Sequence, residues 1–158
     1  ARVLSGVANF IQHPKRNRVS LLHLLWVASM LLELILFWWW DVRTARETDW
    51  TFGAFIFQIS YAIILFLMAA LLFPDNIAEY QGYQDFFIQC RYWFFGLLAS
   101  TWILDFSKTI IEGSKVSTAL MLHASTAIMV CIIAISFRSP KMQILVVLLY
   151  ISRQIYSM

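Results

Sequence analysis

At 158 residues, with 61% of them hydrophobic, 16% aromatic and 13% charged, the chain lies far from the roughly half apolar, roughly one-quarter charged mix of soluble domains. An ordinary water-soluble fold is excluded. The formal net charge of +3 is scattered through short polar stretches and forms no continuous basic patch, so no nucleic-acid partner is expected.

The first apolar segment, RVLSGVANFI at residues 2 to 11, would cover only about 15 Å as a helix, roughly half a bilayer. It is expected to be an interfacial piece or the remnant of a longer span. The chain starts with Ala and shows no basic-apolar-small cleavage pattern, which fits a processed or missing start. HPKRNR at 13 to 18 follows, with His13 expected in water. From Arg18 to Trp40 the chain is apolar on every side, SLLHLLWVASMLLELILFWWW from Ser20 onward, and about 20 such residues cross the hydrocarbon layer. Its closing Trp38, Trp39 and Trp40 point about 100° apart and cannot share one packing face. They are expected to form a belt in the headgroup layer, with a ligand-binding aromatic box as the alternative. Trp50 and Trp93 are expected as further interface anchors.

The third segment runs from Trp50 to Phe73 and stops at PDN, 74 to 76. Residues 74 to 90, PDNIAEYQGYQDFFIQC, mix polar and aromatic side chains and are expected to lie in the interface on the cytoplasmic side. The fourth segment runs from Tyr83 or Arg91 to Ile111, the fifth from Lys115 to Phe137, the sixth from Lys141 to Tyr156. EGSK at 112 to 115 and RSPK at 138 to 141 separate them, combining Gly, Ser or Pro with charge as tight turns do. The expected fold is all-α: a polytopic transmembrane helix bundle, a single domain over residues 1–158, with five full spans plus a short or truncated first helix. Lys15, Arg16, Arg18, Arg138 and Lys141 outnumber Arg43, Arg46 and Lys115 on the opposite side, which puts loops 13–18 and 138–141 in the cytoplasm. Cys90 and Cys131 have no motif spacing and fall in the cytoplasmic half, so free thiols are expected.

Polar residues inside the apolar segments share one depth. At about 1.5 Å per residue Glu33 lies about 20 Å from the cytoplasmic end of its helix, and Asp105 about as far along the fourth. Gln58 reaches a similar level from the other side, and His123 comes within about 3 Å of it. Ser29 shares a face with Glu33, Thr101 and Lys108 with Asp105, and Tyr61 follows Gln58 by one turn. Ala119, His123, Thr126 and Ala127 make a small-residue stripe that permits close helix approach. Ionisable groups in a bilayer normally face the bundle interior and pair or line a path. Three uses are open. One is a structural network, Asp105 with Lys108 and Glu33 with Gln58, Tyr61 or protonated His123. Another is a proton relay or ion path through Glu33, His123 and Asp105. The third is a metal site, for which HxxxH or ExxH spacing is lacking. Bis-histidine haem is disfavoured, because His23 lies about 10 Å below His123. With no nucleophile elbow, phosphate loop or paired hydrolase acids, no enzyme is expected, and no cofactor is implied.

The runs HLLWVASMLLELILFWWW, WTFGAFIF, LMAALLFPD and RYWFFGLL resemble a family of bacterial multi-pass inner-membrane proteins that has no assigned function. Its members share a Leu-Leu-Trp helix closing in Phe-Trp-Trp, a Trp-Thr-Phe start, a Leu-Leu-x-Pro exit and an Arg-x-Trp-Phe-Phe-Gly start. The resemblance covers residues 23 to 98, a little under half the chain. It implies a bacterial inner membrane and about six spans, with a complete first span where this chain has a short one, and it implies no substrate. The function expected is an oligomeric ion or proton transport or channel-like module using the polar layer. The alternative is a non-catalytic accessory or scaffolding subunit of a larger membrane complex, contacting lipid, pigment or quinone. Membrane lipids, and a homo-oligomer or larger complex, are the expected partners.

Overall fold

A computed structural model describes residues 2–12, 20–47, 51–74, 80, 82–111 and 117–156, the side chains of 2, 9–12, 44–47 and 119–120 apart. Every regular element among them is an α-helix: α1 Arg2–Gln12, α2 Leu21–Glu47, α3 Phe52–Leu72, α4 Tyr83–Ile111, α5 Thr118–Ser136 and α6 Pro140–Tyr156. Three of them, α2, α3 and α4, are long and apolar enough to cross a membrane. α5 contributes a shorter apolar stretch, Met121–Ser136. The 17 residues of α6 include Lys141, Gln143, Arg153 and Gln154. Of the five full spans expected, three are supported by length and composition among the described residues.

Local chemistry sets several boundaries. Thr51 caps α3, its hydroxyl accepting from the Ala54 amide at 3.2 Å. Gly82 has φ 144°, a region side chains rarely permit, and its carbonyl starts α4 by accepting from the Phe86 amide at 3.1 Å. Pro140 opens α6, where a missing N–H costs nothing. Of the stretch 74–90, residues 75–79 and 81 lie outside the described residues, as does the 13–18 loop. From Tyr83 onward the stretch is helical and continuous with α4, with Phe86, Phe87 and Ile88 buried.

α4 packs between α3 and α5, α2 packs along α6, and α1 leans on α2 and α3. At Gly6 a Cβ would run into the Phe73 ring, so the absent side chain is what lets α1 approach the end of α3. Trp26 of α2 is the hub of the core. Its ring stacks on Phe87 at 5.7 Å and meets Phe94 at 4.9 Å and Phe95 at 5.2 Å edge-on, all three from α4, with Tyr150 of α6 at 6.0 Å. Such pairs add to the burial of large apolar area. Outward faces carry Ile35, Ile63, Phe66, Ile103 and Ile132, all exposed, the surface a bilayer would cover.

The N-termini of α2, α4 and α6 and the C-termini of α3 and α5 share one end of the bundle, which side chains close. The last carbonyls of a helix have no partner within it, and where packing buries them they need one from elsewhere in the chain. Neighbouring helices supply it. His23 Nε2 donates to the Leu72 carbonyl of α3 at 2.7 Å. At the end of α5, Arg91 Nε donates to Ile135 O at 3.1 Å, and Gln143 Nε2 donates to Ala134 O at 2.6 Å and Phe137 O at 2.8 Å. Arg91, buried and lying 4.0 Å over the Tyr92 ring, also places its charge at the negative end of the α5 dipole.

Replacing Gln143 by Leu keeps the size and removes both donations. Unfolding in detergent should show a loss of about 1–3 kcal/mol, the cost of leaving buried acceptors unmade. Unchanged stability would mean that these carbonyls do not depend on α6.

Candidate functional site

The opposite end of the bundle holds a cavity of about 500 Å³. Five helices line it: α2 with Glu33, Trp40 and Asp41, α3 with Gln58 and Tyr61, α4 with Trp102, Asp105 and Lys108, α5 with His123, and α6 with Arg153 and Gln154. Leu36, Phe37, Phe57 and Leu104 supply apolar wall. The four residues placed at one depth by the sequence, Glu33, Gln58, Asp105 and His123, line this one space, as do Tyr61 and Lys108, the neighbours assigned to them. Below it lies the Trp26 cluster.

Described residues give the Glu33 carboxyl group three hydrogen bonds. Its Oε1 accepts from the Tyr61 hydroxyl at 3.1 Å, and its Oε2 from the Tyr150 hydroxyl at 3.2 Å and Gln154 Nε2 at 2.5 Å. Gln154 is itself oriented one turn down α2, taking the Ser29 hydroxyl at 3.1 Å on its oxygen and giving its nitrogen to the Ser29 carbonyl at 3.2 Å. Phe37 stacks on the Tyr61 ring at 5.4 Å and holds it in place. Of the partners expected for Glu33, Tyr61 is present. Gln58 and His123 line the cavity without bonding to Glu33 among the described residues. Their places are taken by Tyr150 and Gln154, which lie closer along the α2–α6 seam.

Asp105 is half-buried and feels the charges of Glu33, Lys108 and Arg153. The expected Asp105–Lys108 interaction is thus electrostatic, and Arg153 joins it from α6. The Arg153 guanidinium lies 4.0 Å over the Trp102 ring and 5.4 Å from that of Tyr150, a cation held by two aromatic faces. His123 and Thr126 are exposed, and the Thr126 hydroxyl is spent on the carbonyls of Leu122 and His123. The buried small-residue stripe of α5 is instead Ala127, Cys131 and Ala134. The side chain of Ala119 lies outside the described residues.

Trp38, Trp39 and Trp40 are exposed by 61%, 63% and 48%, Trp93 by 73%. Trp40 differs from its neighbours in lining the cavity, with Arg43 5.5 Å over its ring. Trp50 lies outside the described residues. Cys90 and Cys131 form no disulfide. His23 is fully buried at the closed end between Phe73 and Tyr83. Among the described residues no three His, Cys, Asp or Glu side chains form a metal-binding group.

The residues missed from sequence are Trp102, Tyr150, Arg153 and Gln154. Helix rise alone would have found two of them, because Arg153 and Gln154 lie about 20 Å along α6 from Pro140, the depth already assigned to Glu33. No protein-family model matches the chain, and neither a curated protein nor a solved structure proves similar to it.

If Glu33 organises this cluster, Tyr150→Phe should destabilise the wild type by about 1–3 kcal/mol and a Glu33→Leu background much less. The double-mutant cycle should give a coupling of about 0.5–3 kcal/mol. A coupling of zero would sever Tyr150 from Glu33 energetically.

Proposed function

We propose that the protein is a small multi-pass membrane transport module whose intramembrane cavity takes up and releases a proton or another ion from one side. The observation that carries this reading is the convergence of Glu33, Asp105 and His123, from three helices, on one cavity. Acids and a histidine at membrane depth are how protons and ions are passed within bilayers. The aromatic cluster under the cavity favours access from one side at a time over a permanently open pore.

In this reading α5 and α6 complete the crossing as short helices, and the closed end of the bundle faces the cytoplasm, in keeping with the Lys and Arg count. The membrane is the inner membrane of a bacterium, as the sequence resemblance implies. Six helices of this size leave little room for a complete path, so the working unit is a homo-oligomer. The accessory-subunit reading draws on a different observation, the apolar outer face of α5, where Met121, Leu122, Met129, Ile132 and Ile133 are exposed and could meet a partner helix as well as lipid.

The test is ion flux into vesicles reconstituted with the purified chain, read with a pH-sensitive dye under an imposed gradient. Glu33→Gln and Asp105→Asn should each slow flux at least about ten-fold. The Ser107→Ala variant, which alters a hydroxyl bonded only to its own helix, should leave it unchanged. Flux no faster than in empty vesicles, with other subunits retained on gentle extraction, would favour the accessory reading.

A further inference from the structure

The Glu33 network leaves part of the cavity unexplained. On one wall Arg153 Nη1 and the indole Nε1 of Trp102 are both buried, and neither has an acceptor among the described residues. The two side chains lie face to face, 4.0 Å from guanidinium to ring. Buried donors in native proteins are nearly always satisfied. The Trp26 indole Nε1 also lacks an acceptor among the described residues, but it lies in the core, whereas Trp102 and Arg153 line the cavity, where a cationic donor asks for an anionic oxygen. Asp105, on α4, lines the same cavity and accepts no hydrogen bond on its carboxyl group from a described residue. It interacts with Arg153 through space, yet the two form no ion pair among the described residues.

We propose that this cavity binds a small zwitterionic group, its anionic oxygens held by Arg153 and the Trp102 indole and its cation by Asp105. Single charges fit worse. An anion alone meets Glu33, Asp41 and Asp105, and a cation alone meets Lys108 and Arg153. A ligand carrying both charges offsets both sets and adds no net charge to the cavity. The volume, about 500 Å³, is in the range of small-molecule sites, and the lining brings acids and bases together in one space. The same chemistry is offered by a free amino acid and by the phosphoethanolamine head of a lipid. The proposal rests on the cavity being the working site, and it is tested by equilibrium binding with no gradient, so that it stands or falls separately from ion flux.

The detergent-purified protein is titrated calorimetrically with glycine and O-phosphoethanolamine, and with ethylamine and acetate as the single-charge halves. A zwitterionic probe should bind saturably and at least about ten-fold more tightly than either half. Arg153→Gln and Asp105→Asn should each weaken it at least about ten-fold, while Arg153→Lys keeps the melting temperature and part of the affinity. If neither free zwitterion binds, nanodiscs of phosphatidylethanolamine should raise the melting temperature above those of phosphatidylglycerol, and Arg153→Gln should abolish the difference. That result would identify the ligand as a lipid headgroup. Ethylamine or acetate binding as tightly as glycine, variants that bind like wild type, or no response to any probe or lipid would overturn the proposal.

Discussion

The structure depends on the need to satisfy backbone carbonyls that packing buries. A helix ends in acceptors that its own amides cannot reach, and this chain meets the buried ones with side chains sent from the next helix over. His23 and Gln143 do so from the first turns of α2 and α6, and Arg91 from two turns into α4. Because each donor is anchored on a different helix from its acceptor, these bonds fix the axial offset between neighbours. Those offsets decide which residues meet at the far end. The cavity is in this sense built from its opposite end.

Between the two ends lies a gradient of polarity. The Trp26 cluster is dry, with Phe94 and Phe95 all but inaccessible. One turn above it, Ser29 and Gln154 begin the polar network, and Glu33 sits on top. A carboxyl group surrounded by two hydroxyls and an amide loses little hydrogen bonding in either protonation state, because hydroxyls can turn to accept as well as donate. Arg153, by contrast, is held by the faces of Trp102 and Tyr150.

Much of this layout was legible in the sequence, and the reasons differ by feature. Helix positions follow from apolar run length, so the span from Arg18 to Trp40 anticipates most of α2 and the span from Trp50 to Phe73 almost all of α3. Depth follows from residue count, which is why Glu33, Gln58, Asp105 and His123 could be assigned to one layer before any packing was known. Rotation about each helix axis is another matter. His123 shares the level of Glu33 but stands at the rim, because the small residues that seat α5 against α4 begin at Ala127 and not one turn earlier. The carbonyl donors were invisible for a related reason: which side chain reaches which helix end depends on offsets of a few ångströms between helices that no single segment encodes.

The Glu33–Gln154 bond joins residues 121 positions apart. During synthesis α2 leaves the ribosome before α3, α4, α5 and α6, so Glu33 is made long before Tyr150 and Gln154 exist. Until then its carboxyl group must be sheltered by something else, whether the insertion machinery, a captured water or Tyr61 alone once α3 arrives. Arrival of α6 is therefore the step that completes the shell around Glu33. A ribosome stalled in the α5–α6 turn would leave an acid lacking two of its three donors, a plain mark by which quality-control proteases could tell a copy without α6 from one that has it.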